Sequence, residues 1–88
     1  MTVIRKLAGN FTEADIDDEV IIMRLDNGEL LSLADTAAAV WRLIDGRRGE
    51  EALVEALAAE FAADKAQIAD DVRDLLGELK EARLVADD

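Results

Sequence analysis

The chain has 88 residues, 51% of them hydrophobic, enough apolar material for one modest core and none for a second domain. Lysine and arginine total 10 against 21 aspartates and glutamates, a formal net charge of -11 with a pI near 4.2. That charge argues against nucleic acid, whose affinity rests on cations displacing condensed counterions, and against anionic membranes. Cysteine and histidine are both missing, which excludes disulfides, thiolate chemistry and the commonest metal ligand and general base.

No window approaches the roughly 18 apolar residues of a membrane span and no long apolar segment opens the chain, so a cytoplasmic protein is expected. Residues 1–10 are the least patterned and are read as a loosely structured segment closed by a Gly9-Asn10 turn. A first short strand is placed at 11–16, although its alternation is poor: Phe11, Glu13 and Asp15 against Thr12, Ala14 and Ile16. Asp17-Asp18 supplies the turn that follows.

Val20, Ile21, Ile22, Met23 and Leu25 form a β-branched run, read as a central strand buried on much of both faces. Asn27-Gly28 between apolar runs predicts a tight primed hairpin, which needs positive φ at both central residues. Its second strand, 29–33, puts Leu31 and Leu33 on one face and Leu30 and Ser32 on the other, the mixed character of an edge. Unless something later in the chain pairs with it, that edge is either a liability or a docking site.

The period then becomes helical. Asp35 or Thr36 can cap a first helix whose stripe is Ala37, Val40, Trp41 and Ile44, ended by Asp45-Gly46. A second helix over 50–61 has the stripe Leu53, Val54, Leu57 and Phe61, with Glu50 and Glu51 near the positive end of its dipole. Asp64 with Gln67 makes a capping-box-like start for a third helix, in which Ile68, Val72, Leu75, Leu76 and Leu79 form a strong amphipathic stripe. Residues 86–88 are read as frayed. Strands followed by helices predict an α+β domain with an antiparallel sheet.

Chemistry-bearing constellations are sparse. Asp17-Asp18-Glu19 and Asp70-Asp71 lack calcium-loop spacing and read as solvated charge. Ser32, the only serine, has no histidine to activate it, so catalysis finds no support and neither an enzyme nor a cofactor is expected.

The succession "DDEVIIMRLDNGELLSLADTAAAVWRLIDG", "ALVEALAAEF" and "DDVRDLLGELKEARLV" resembles the PqqD-like family, the peptide chaperones of pyrroloquinoline quinone and lasso-peptide biosynthesis. The resemblance spans residues 11–85 and lies in the order of its parts: acidic turn, apolar strand, glycine hairpin, Thr-Ala helix with Trp and a terminal Asp-Gly, then two more helices. Three positions depart from the pattern. Ala34 stands where the family favours asparagine, which shifts the cap to Asp35; Leu30-Leu31 replace aromatics; and Arg83 replaces the glycine of the last motif.

The resemblance implies a winged-helix-turn-helix-like recognition element, three N-terminal antiparallel strands followed by three helices. It implies binding of the leader of a ribosomally made precursor peptide and its presentation to a modifying enzyme, commonly a radical S-adenosylmethionine protein or a leader peptidase. The leader adds as a strand beside 29–33 and lies against the third helix. The expected leader-binding residues are Glu29, Leu30, Leu31, Ser32 and Leu33 with Asp71, Val72, Arg73, Leu76, Leu79 and Lys80. Among these, Val72, Leu76 and Leu79 would line a pocket, Leu75 would be core, and Arg73 and Lys80 would meet acidic leader side chains. Rival readings stay open at this stage: a winged-helix DNA-binding regulator, an acyl or peptidyl carrier armed at Ser32, an acidic antitoxin-like partner, and a homodimer paired through the 29–33 edge.

Overall fold

The computed structural model describes residues 2–87. A three-stranded antiparallel sheet is ordered β2(Phe11–Ile16), β3(Glu19–Arg24), β4(Leu30–Leu33), with β1(Ile4–Lys6) preceding it in the chain. Three helices follow, α1(Asp35–Leu43), α2(Glu50–Phe61) and α3(Lys65–Glu81), and then β5(Val85–Asp87). The α+β class and the strands-then-helices order agree with the sequence reading.

The two ends of the chain do not. β1 pairs antiparallel with β5, Ile4 opposite Asp87 and Lys6 opposite Val85, so the segment read as loose and most of the tail read as frayed form a second, two-stranded sheet. Met1 and Asp88 lie outside the described residues. Ile4 and Val85 are buried, and the Ile4 N–H donates to the Arg48 carbonyl while the Gly46 N–H donates to the Ile4 carbonyl. Burial of two apolar side chains and a continuous set of backbone partners holds strands too short to show a period in sequence. Gly49 belongs to the same closure: a Cβ there would collide with the Thr2 carbonyl oxygen.

Register assigns the faces of the larger sheet. Val20 lies opposite Leu33 and Ile22 opposite Leu31, with Glu13 and Asp15 beside them on β2; Thr12, Met23 and Leu30 share the other face. Val20, Ile22 and Leu33 are buried with Val40 and Trp41 of α1, Leu53 and Leu57 of α2, and Val72, Leu76 and Leu79 of α3. β3 is therefore buried on one face only. Ile21 is half-buried and Met23 exposed, because all three helices stack on the opposite side.

The β3–β4 connection also differs from the tight turn expected at Asn27-Gly28. Arg24, not Asp26, pairs with Glu29: the Arg24 N–H donates to the Glu29 carbonyl and the Gly28 N–H to the Arg24 carbonyl, closing a four-residue loop. Gly28 takes a φ of +73°, whereas Asn27 uses its side chain, Oδ1 accepting the Glu29 N–H at 2.9 Å. Arg24 clamps the loop through Asp26 at 2.9 Å and Glu29 at 3.8 Å. Its guanidinium hydrogen bond is the main cause that holds the Asp26 carboxyl below the usual range.

Helix α1 starts at an Ala34 N-cap with no side-chain cap. Asp35, expected to cap, is instead the first helical residue in a left-handed φ of +51°, a conformation aspartate tolerates, and its charge favours the helix dipole. Ala38 rather than Ala37 completes the buried stripe, and Phe61 is exposed at the end of α2. Asp64 caps α3 by accepting the Ala66 N–H at 3.1 Å; Gln67 does not close the box but donates to Asp71.

Candidate functional site: an open sheet edge

The larger sheet has two free edges, and they differ. In an antiparallel ladder successive residues alternate between facing the partner strand and facing away. The Arg24–Glu29 bond sets that alternation, so Leu31 and Leu33 bond to β3 while the N–H and C=O groups of Leu30 and Ser32 point outward. On β2 the outward groups belong to Phe11, Glu13 and Asp15.

The β2 edge is guarded. Glu13 Oε2 accepts the indole N–H of Trp41 at 2.6 Å, Arg42 bonds Asp15 at 3.3 Å, and the Lys6 ammonium sits 4.4 Å from the Trp41 ring centroid. Phe11 packs edge-on to Trp41 at 5.2 Å. Burial lowers the Lys6 pKa below its ordinary value, with Glu13 and Asp15 opposing the shift. These contacts explain the poor alternation of β2: two carboxylates occupy core-facing positions because helix α1 presents donors to them, and inward charges protect an edge from pairing. A buried indole N–H needs an acceptor, and that requirement was the available signal for Glu13.

The β4 edge carries no such device. Leu30 is exposed on the outer face, Leu31 is half-buried on the inner one, and Ser32 donates its hydroxyl to Glu19 at 2.9 Å. Glu29 closes the loop with both backbone groups engaged, and Leu33 is core. Residues 29–33 thus lie together on one edge, with Leu30 and Ser32 supplying its main-chain groups.

The expected residues of α3 fall in two places. Val72, Leu76 and Leu79 are fully buried in the core, whereas Leu75, expected as core, is only half-buried. Arg73 and Lys80 lie on one flank of that buried stripe and already have partners: Arg73 stands 3.9 Å from Glu50 of α2 and 3.7 Å from Asp70, and Lys80 bonds Asp87 of β5 at 2.9 Å. Helical spacing puts Asp71, Leu75, Glu78 and Ala82 on the other flank. Ala82 and Arg83, at the C-terminal end of α3, line a surface cleft of about 320 Å³ with Leu25 and Asp26 of the β3–β4 loop and with Gly9 and Asn10, so that end of the helix lies beside the loop.

An α+β domain with one guarded and one open sheet edge presents free main-chain groups to which a further strand can add. Ser32 lies within β4, not at a helix start, and the mixed fold sets aside the all-helical carrier reading. The chain belongs to the PqqD family: the family model described as Coenzyme PQQ synthesis protein D (PqqD) matches residues 19–85. Among solved structures it is similar to TbiB1, determined in complex with the TbiA(beta) leader peptide, at 30% identity and a TM-score of 0.81 over 91% of this chain and 93% of that one. No curated protein matches it. No described helix is long and apolar enough to cross a membrane.

Proposed function

We propose that this protein is a non-catalytic module that binds the leader of a ribosomally made precursor peptide by strand addition and presents it to a modifying enzyme, a radical S-adenosylmethionine protein or a leader peptidase. The observation that carries the reading is the β4 edge, where the outward amides of Leu30 and Ser32 stand unguarded while β2 is blocked by charge. Membership of the PqqD family and likeness to a leader-bound relative support it.

Magnitudes say what else the site must contain. Leu30 and Ser32 offer up to four main-chain hydrogen bonds, each worth a net ~0.5–1.5 kcal/mol. Ordering a flexible leader costs about 2–5 kcal/mol, which nearly cancels them. Micromolar binding needs about -8 kcal/mol, so apolar anchors at roughly 1.5–3 kcal/mol each supply the balance. Leu31 and Leu75, both half-buried, are the surfaces such anchors would cover; Val72, Leu76 and Leu79 form the floor beneath. With Arg73 and Lys80 engaged elsewhere, Asp71 and Glu78 are the charges nearest to the leader.

The test is a titration with the synthetic leader of a precursor peptide encoded beside this gene, followed by amide NMR. Saturable shifts at Leu30 and Ser32 and along residues 71–82 are expected. Shifts confined to β2, or none at a concentration well above micromolar with a folded spectrum, would overturn the reading for that peptide.

A further inference from the structure

The outer face of the larger sheet is apolar and uncovered. Of the five large apolar side chains exposed among the described residues, Ile16 (56%), Met23 (38%) and Leu30 (65%) lie on it, and Leu25 (53%) lies in the adjoining loop. Met23 stands directly opposite Leu30, and Ile21, half-buried, stands opposite Ala14, so the patch runs across all three strands. A contiguous apolar patch rimmed by polar residues marks an interaction surface. Strand addition at β4 would extend the sheet sideways and leave this face open.

Charge selects the occupant. The only charged side chain that register places on the face is Glu19. Beyond one end of β3 lies the Asp17-Asp18 turn, and beyond the other lies the loop with Asp26 and Glu29, about 20 Å away for a strand of this length. Arg24 pairs with both Asp26 and Glu29 and offsets one of the two charges, so the loop end keeps a net negative charge and both ends are acidic. Packing two copies face to face sets acid against acid in either orientation, on top of a net charge of -11 on each chain. An anionic membrane or a nucleic acid is repelled by the same rim.

We propose that the outer face of β2–β3–β4 docks a protein surface with an apolar centre and lysine or arginine at both ends, and that this surface belongs to the modifying enzyme. The identity of the partner rests on the reading under Proposed function; the face does not overlap the β4 main-chain groups. The leader and the enzyme then occupy adjoining sides of one small sheet, the leader at its edge and the enzyme across its outer surface. Apolar burial supplies affinity, and the acidic rim steers encounter and fixes orientation.

The experiment uses the full chain, the leader peptide and the modifying enzyme encoded beside its gene, with binding of the enzyme measured for wild type, Met23→Lys and Ile16→Lys. Each substitution is expected to weaken enzyme binding roughly tenfold or more, the loss of one buried apolar anchor, and added salt is expected to weaken the wild-type complex. Leader affinity is expected to stay within about twofold, which also reports that each variant is folded. Enzyme binding unchanged in both variants overturns the proposal, as does an enzyme that ignores the leader-loaded wild type. A wild-type dimer that Met23→Lys dissolves also overturns it, by making a second copy the occupant. Failure of the leader itself to bind strikes instead at the functional reading.

Discussion

Arg83 holds a left-handed φ of +62° at the end of α3. The Leu84 N–H donates to the Leu79 carbonyl and the Arg83 N–H to the Lys80 carbonyl, the paired bonds of a Schellman ending, with Leu79 and Leu84 buried against the same core. The Asn10 side chain fastens the turn by donating to the Arg83 carbonyl at 2.9 Å. Glycine is the residue that such a position favours, and glycine is what the family pattern has there. Replacing Arg83 by Gly is expected to relieve about 1 kcal/mol of backbone strain, partly offset by the greater freedom of glycine in the unfolded chain. Urea denaturation should show an unchanged m-value and a higher midpoint; a lower midpoint would mean that the arginine side chain contributes more than its backbone costs. Lys6 makes a second prediction at this scale. Its folded pKa lies below the ordinary 10.5, so the unfolded chain binds the proton more tightly, and stability owed to Lys6 rises as pH climbs through the folded pKa towards 10.5. Compared with Lys6→Met, which carries no titrating group there, the wild type should gain in relative stability across that window. A difference that stays flat, or grows the other way, would show that the attraction of Glu13 and Asp15 outweighs burial.

At the scale of the element, strand β4 separates folding from binding within four residues. Ser32 faces its N–H away from β3, so Ser32→Pro removes a docking group and no ladder bond, whereas Leu31→Pro breaks the sheet. The first variant should melt within a few degrees of wild type and bind leader at least tenfold more weakly, by thermal denaturation and titration calorimetry; undiminished binding would move the leader off this edge. How much of this was legible in the sequence varies with the element. Helices α2 and α3 were, because a period of 3.6 repeated over three turns or more leaves one stripe, and Asp64 marked the start of α3. The open edge at 29–33 was legible too, since the long runs that follow it have a helical period, and the one later strand among the described residues, β5, pairs with β1 instead. Strands β1 and β5 were not: three residues carry no period, and their pairing joins positions about eighty apart in the chain. Asn27-Gly28 located the hairpin but not its register, because an asparagine that bonds through its side chain looks the same in sequence as one that bends its backbone. The same ambiguity governs α3. A leucine under a groove and a leucine lining it are identical in composition, and only the packing of Arg73 on α2 and of Lys80 on β5 tells which flank is left free.

For the whole molecule, the distribution of charge and the placement of layers work together. The helices occupy one side of the sheet, so acidic residues need not protect that side, and those among the described residues concentrate at turns, on exposed helix faces and along the guarded β2 edge. What remains unprotected is one edge and one face, at right angles to each other. The closing pair β1–β5 sets Ile4 beside Asp87, so two neighbouring strands about 5 Å apart bring the ends of the described chain together. In terms of connectivity the domain is close to a ring: a short glycine-serine bridge could join those ends, and the chain could be reopened between Ala62 and Ala63, an exposed break between α2 and α3. Such a circular permutant is expected to fold and to bind leader as the native order does, by circular dichroism and titration. The recognition surface would then owe nothing to the order in which its parts are synthesised.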